Sequence, residues 1–524
     1  MSRLALGLLM VLAYAPSTTA LAGPGEGAGV VEVGLRALAD ELASGKRTSA
    51  SLVAEYQARI ASMDRAGPAL RAVIELNPEV AALAASLDEE RKAGHLRGPL
   101  HGIPILVKDN IDTADRMSTT AGSLALDGVR AAQDAFVIAR LRAAGLIILG
   151  KTNLSEWANA RSTRAASGWS GRGGLVKNPY ALDRSACGSS SGTGAAIAAS
   201  FAAAGVGTET DGSIICPSSM AALVGLKPTL GRISRTGIIP LAHSQDTAGP
   251  MARSVEDALL LFEAMIGADP EDATTGGAPP FKAPDLGAAT LKGKRIGILR
   301  SPSFGFGEDT AAVLDQAVKA LRDEGAVVVE RLDSPSFAKL DACETPILQY
   351  ELKHDLDQKL GALGPEAKVH SLADLIAFNR VHAKEELVWF GQEFFERAQA
   401  MGPLTTPAYG ALLKSCKKLA RAQGLDPLLA KHHLDALVSA SAGPAWVSDL
   451  VIGDHYTGGS TSPAAVAGYP SLTVPAGQIH GLPVGISFTG PAWSEARLFE
   501  LAAAFERATH ARRPPRYLPA AEPH

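Results

Sequence analysis

Apolar residues recur at helical spacing over residues 36 to 63 and 79 to 93, which predicts amphipathic helices there, and a third over 133 to 144. The stretch from Leu100 to Val107 is almost continuously apolar. It reads as a loop feeding a buried strand and places Lys108 at the strand end. Leu146 to Leu149 predicts a second buried strand, and the mostly small apolar run from Thr193 to Ala204 fits a buried helix packed closely on its neighbours. From Gly267 to Ala289 the residues Gly, Pro, Thr and Asp accumulate, marking a connector. Beyond it Arg295 to Leu299, Asp309 to Leu321 and Val327 to Val329 read as strand, helix and strand, a βαβ unit. Residues 340 to 435 read as mostly helical. Alternating strands and helices of this kind predict an α/β fold. The chain shows no internal repeat and no low-complexity tract.

Length and composition narrow the class. With 524 residues, 46% of them hydrophobic, the chain can bury a large core. A net charge of −4 and no basic run argue against nucleic acid as a partner. The N-terminus carries an address: Arg3 precedes the apolar run Leu4 to Ala15, which is too short to span a bilayer, and Ala20-Leu-Ala22 follows as a small-residue cleavage site. Residues 1–22 are therefore expected to be a signal peptide and residues 23–524 the mature domain, periplasmic or secreted, with no membrane attachment once the signal is cut. Cys187, Cys216, Cys343 and Cys416 form no C-x-x-C pair and no metal-ligand spacing with histidines. They read mostly as small buried residues, with three connectivities open if all four pair.

Three polar motifs stand out against this background. Ser189 lies in Cys-Gly-Ser-Ser-Ser-Gly-Thr-Gly, Ser213 lies 24 positions later in Thr-Glu-Thr-Asp-Gly-Ser-Ile, and Lys108 ends Gly102-Ile-Pro-Ile-Leu-Val-Lys. A serine hydroxyl is a weak nucleophile at neutral pH and needs an adjacent base, a role open to a lysine held neutral. Burial at a strand end would lower the lysine pKa from its usual value near 10.4, provided that Asp109 points to the opposite face. A hydroxyl at Ser189 can relay a proton. The segment Gly207 to Ser213 can turn backbone amides toward a developing oxyanion, the candidates being those of Thr210, Asp211, Gly212 and Ser213.

These motifs, their order, and the continuation Gly225-Leu-Lys-Pro-Thr229 resemble the amidase signature family from about residue 33 to 510. The resemblance implies a large mixed β-sheet covered by helices on both faces, a signature core at about 100–250, and a helical insertion at about 335–435 that shapes the pocket. The chain would return to the common sheet near Leu434 to Val438 and Pro470 to Val474. It also implies a Ser-Ser-Lys triad: Ser213 as nucleophile, Ser189 as relay on a cis peptide bond, Lys108 as base, with no metal or organic cofactor. The family's usual glycine is replaced by Asp211, and this, with Ile239 to Pro250, resembles the bacterial peptide amidase branch, which deamidates peptide C-termini. An amide or amidated peptide substrate follows from that resemblance. The alternatives are a broad aryl or alkyl amidase with esterase activity, the glutaminase-type subunit of a transfer-RNA amidotransferase, and an inactive binding protein on this fold.

Two further patterns compete. Gly145-Leu-Ile-Ile-Leu-Gly-Lys-Thr152 satisfies the P-loop spacing, yet its intervening residues are large and apolar, as in a buried strand. Gly188 to Gly192 satisfies the nucleophile-elbow pattern with Ser190 as nucleophile and His243, His455 or His480 as partner, yet Asn178 to Ala186 before it reads as loop. Lys151 and Lys227 read as structural, and His455 as the histidine best placed to touch substrate.

Overall fold

The computed structural model describes residues 29–523. The expected signal peptide, residues 1–22, lies outside them. The strands are β1 (Val73–Leu76), β2 (Pro104–Lys108), β3 (Ile147–Thr152), β4 (Trp169–Ser170), β5 (Gly174–Leu175), β6 (Ala204–Glu209), β7 (Val224–Lys227), β8 (Thr247–Ala252), β9 (Arg295–Leu299), β10 (Val327–Leu332), β11 (Ala436–Ala440), β12 (Ser471–Ile479) and β13 (Leu482–Thr489). Eleven of them form one sheet in the order β1-β3-β2-β6-β8-β7-β12-β13-β11-β9-β10, and β4 and β5 pair as a separate hairpin. β2 runs parallel to β3 and to β6, the stretch β6-β8-β7-β12-β13-β11 is antiparallel, and β9 is parallel to both β10 and β11.

The sheet is mixed, with helices over both faces. Successive side chains on a strand point to opposite sides. β2, β3, β6, β7, β8, β11 and β13 are nevertheless buried at every position, which requires cover on each side. The expected helices at the N-terminus appear as Leu35–Ala43, Ser49–Met63 and Val80–Lys92. Thr48 caps the second of these reciprocally with Ser51, satisfying two otherwise orphaned donors. The βαβ unit is present as β9, the helix Glu308–Asp323, and β10.

One expectation is corrected. The run from Thr193 to Ala204 is not one helix: the helix is Ser191–Ala198, the chain turns at Ser200 with φ +57°, and Ala204 opens β6. Alanine favours helix, but propensity is a weak prior that tertiary packing overrides here. Gly205 of β6 shows that packing, because a Cβ there would come 2.8 Å from Thr193 Cγ2 and 3.1 Å from Ile197 Cγ1. The helix therefore lies directly on the strand.

The insertion is helical, as expected, and begins with the long helix Leu340–Gly361. Helices Leu372–Val381, Glu393–Gln399 and Pro407–Ala420 follow. Arg161, fully buried, ties it to the sheet domain: Nη1 donates to Glu156 Oε1 at 2.7 Å and to the Glu386 carbonyl at 2.6 Å, and the guanidinium lies 4.3 Å from the Phe390 ring centroid. The four cysteines are buried, as expected, and the pairing left open is resolved: all four are bonded, as Cys187–Cys216 and Cys343–Cys416. Residues far apart in sequence met in the fold, which spacing could not reveal.

Candidate active site

β2 delivers Lys108 into the protein interior. Its preceding residues are apolar and buried, so the amine has no water to solvate its charge. Nζ lies 2.7 Å from Ser189 Oγ, 2.8 Å from Thr208 Oγ1 and 3.3 Å from the Thr208 carbonyl. Burial lowers the lysine pKa from 10.5 to about 7, and the carboxylates of Asp246 and Glu209 oppose that fall only in part. A group poised near neutrality suits a general base. Asp109, the next residue, turns away as expected. Its carboxylate accepts from the Thr120 hydroxyl and the Gly122 amide, and burial raises its pKa to about 6 against the pull of Lys151.

Ser189 follows a cis Gly188–Ser189 peptide and precedes the Ser191–Ala198 helix. Two connections bring its segment to that of Ser213. The Ser190 amide donates to the Ser213 carbonyl at 3.1 Å, and the Cys187–Cys216 disulfide links the residue before Gly188 to the helix Ile215–Met220. The structure thus puts the Lys108 amine on the Ser189 hydroxyl and ties the backbone of Ser213 to the residue after Ser189, from three separate stretches of chain. Ser190 is engaged elsewhere, because its Oγ donates to the Thr208 carbonyl at 3.1 Å and accepts from the Thr208 amide at 3.2 Å. Both contacts are backbone, and His243, one of the candidate partners, pairs instead with Asp355 at 2.9 Å. The P-loop pattern is absorbed too, for Ile147–Thr152 is strand β3, buried throughout.

After Glu209 the chain leaves β6 and turns, with Gly212 at φ +79°, a value that favours glycine. Among the described residues none accepts a hydrogen bond from the amides of Asp211, Gly212 or Ser213, and these residues line the cleft. Unspent amides at a turn are donors available to a developing oxyanion. Glu209 steadies the turn by accepting from the amides of Ile214 at 2.6 Å and Ile215 at 2.9 Å. Thr210 Oγ1 donates to Asp246 at 2.5 Å, and Asp246 also accepts from the amides of Leu241 and Ala242, each at 2.8 Å. Burial holds the Asp246 pKa up at about 6. Asp211 Oδ2 accepts from Ser462 Oγ at 2.6 Å.

The cleft above Ser213 has a volume of about 640 Å³. Its apolar lining comprises Leu348 and Phe394 of the insertion, Leu241, Trp446, Ile452 and Tyr456. Trp446 and Tyr456 meet edge to face, their centroids 5.6 Å apart. His455, expected to touch substrate, is instead exposed beside Asp449 at 3.7 Å, and its neighbours Asp454 and Tyr456 reach the cleft. Sequence reasoning missed Thr208, Asp246, Gln245 and Glu344. Thr208 stood inside the Gly207 to Ser213 segment, and Gln245 and Asp246 inside the Ile239 to Pro250 segment; Glu344 stood near no motif.

Among the described residues His243, Glu351 and Asp355 come within metal-binding reach of one another. Their oxygens are already used, since Tyr409 Oη donates to Glu351 at 2.6 Å, the Ser244 amide donates to Glu351 at 2.9 Å, and the His243 amide donates to Asp355 at 3.0 Å. The cluster pins the 241–246 loop to the insertion.

The family profile described as Amidase matches residues 51–499. The structure of native peptide amidase from Stenotrophomonas maltophilia is 49% identical, with a TM-score of 0.88, and the match covers 93% of this chain and 98% of that one. A probable amidase of Arabidopsis thaliana is 41% identical over 90% of this chain and 89% of its own length. One subunit of the glutamyl-tRNA(Gln) amidotransferase of Synechococcus sp. is 34% identical over 92% of this chain and 93% of its own length.

Proposed function

This chain belongs to the amidase signature family and is an amide-hydrolysing enzyme, and from that premise we propose that it releases ammonia from C-terminal peptide carboxamides through an acyl-enzyme on Ser213. The observation that carries the reading is the fully buried Lys108 amine, with a pKa near 7, at 2.7 Å from Ser189 Oγ. Neutral Lys108 takes the Ser189 proton as Ser189 takes that of Ser213, whose oxygen attacks the carboxamide carbon. The amides of Asp211, Gly212 and Ser213 receive the oxyanion, where losing one donor costs about 10²-fold or more in rate. The proton returns from Lys108 through Ser189 to the leaving nitrogen, ammonia departs, and water hydrolyses the ester by the reverse relay.

The peptide preference is supported by the 49% identical peptide amidase and by a cleft of about 640 Å³ at Ser213 with a partly apolar, partly aromatic lining. Export of the mature enzyme is part of the reading, supported by two disulfides, which persist in oxidising compartments. The test is turnover of amidated dipeptides and tripeptides against simple aryl and alkyl amides and esters, with ammonia and free acid quantified. Higher kcat/KM for the amidated peptides is expected. Preference for the simple amides would replace this reading with a broad amidase, and glutamine hydrolysis only with partner chains would replace it with one component of an amidotransferase.

A further inference from the structure

Asp211 on the catalytic turn and Glu344 on the helix Leu340–Gly361 of the insertion meet carboxyl to carboxyl beside the cleft. Asp211 Oδ1 is buried and receives no N–H or O–H from any backbone amide, hydroxyl, amide or cationic side chain among the described residues. Glu344 is only 5% exposed, and Gln245 Nε2 donates to its Oε1 at 2.6 Å while also reaching the Thr210 carbonyl at 3.4 Å. Two buried carboxylates in contact cannot both be charged, so one proton lies between them.

We propose that Glu344 is a positioning residue of the catalytic turn, donating that one shared proton to Asp211 so that the amides of Gly212 and Ser213 stay aimed at the reacting carbonyl. The placement of the proton follows from the surroundings. Asp211 has the Ser462 hydroxyl at 2.6 Å and the Thr461 hydroxyl to stabilise its anion, whereas Glu344 is buried and faces the negative charge of Asp211. Both effects push Glu344 well above the ordinary carboxyl range. Among the described residues, ionisable groups that act on the pair include Asp341 on the same helix, Glu209 before the turn, Lys227 on β7 and the Tyr456 phenol. Lys227 is the one cation among them, and its own pKa is lowered to about 8 by burial. A ring of contacts results: Ser462 to Asp211, Asp211 to Glu344, Glu344 to Gln245, and Gln245 to Thr210. The residue beside Glu344, Cys343, is bonded to Cys416 on the helix Pro407–Ala420, which fixes this part of the insertion. The insertion therefore shapes the pocket and also holds the turn that carries the nucleophile.

The inference rests on the Ser213 reading above, and its test separates the two. Infrared difference spectra of wild type against Glu344→Gln should show loss of a protonated-carboxyl band at neutral pH. That band is independent of turnover. On a carboxamide that the wild type hydrolyses, Glu344→Ala should lower kcat by about ten- to a hundredfold with little change in KM, the loss expected for a hydrogen bond to a charged group. Glu344→Gln keeps a donor, so it should stay within about fivefold of wild type at neutral pH and should lose the alkaline fall in kcat caused by removal of the shared proton. Absence of the infrared band, or an alkaline limb unchanged in Glu344→Gln, overturns the inference. A wild type inert on every carboxamide overturns the proposed function while the infrared result still decides the shared proton.

Discussion

Lys108→Met should abolish amide turnover and yet make the protein more stable at mildly acid pH. Burial takes the Lys108 pKa from 10.5 to about 7, a difference worth about 5 kcal/mol at 1.36 kcal/mol per unit. The sign follows from proton counting. Between about pH 7 and 10.5 the unfolded lysine holds a proton that the folded one lacks, so stability rises with pH across that window. Below about pH 7 both states are protonated and the whole cost of a buried ammonium is present; above 10.5 both are neutral and it is gone. Methionine fills similar space without the charge, but forfeits the contacts of Nζ with Ser189 and Thr208, each worth about 1 kcal/mol net. Near pH 6 the variant should therefore be more stable than wild type by about 2 to 3 kcal/mol, an advantage that shrinks through the window and reverses near its top. Urea unfolding midpoints of both proteins, measured in parallel from about pH 6 to about pH 9.5 with ammonia release alongside, read this directly. A stability difference that does not change with pH would refute the claim that Lys108 sits near neutrality in the folded enzyme.

The same lysine sets the acid limb of the rate profile. The base must be neutral, so kcat/KM should rise through about pH 7. Asp246→Asn removes the carboxylate that most opposes the fall of the Lys108 pKa, and should move this limb to lower pH by about one unit; a limb left in place would count against the electrostatic coupling. The Cys187–Cys216 disulfide closes a loop of 29 residues that contains Ser189 and Ser213, and its removal in Cys187→Ala/Cys216→Ala should cost about 3 to 4 kcal/mol. Thermal melts and kcat should fall together in that double variant, and an unaltered kcat would show that the disulfide does not position the two serines.

Much of the site was legible because its residues sit in continuous local patterns. The apolar run before Lys108 announces a strand whose last residue is buried, and the two serine motifs lie on a turn and a helix start that glycine-rich segments require. The helices between residues 340 and 435 and the βαβ unit were legible from the residue pattern, while that helical stretch being an insertion came from the family resemblance. Other features depend on distant pieces of chain. Thr208 is an ordinary threonine in a strand until β2 lies beside β6 and puts Lys108 against its hydroxyl. Glu344 is one acidic residue on a long helix until the insertion folds back onto Asp211. The cysteines paired across 29 and 73 residues, separations at which spacing carries no signal. The alanines after Thr193 favour one continuous helix, and packing of the helix against Gly205 of β6 is what ends it at Ala198.

The central claim is that Ser213, activated through Ser189 by Lys108, forms the acyl-enzyme. Mass spectrometry of the protein treated with a fluorophosphonate, followed by digestion and sequencing of the modified peptide, tests it most directly. The account predicts one adduct, on Ser213, that is lost in Ser213→Ala and slowed in Lys108→Met; an adduct on Ser190, or labelling that persists in Ser213→Ala, would contradict it.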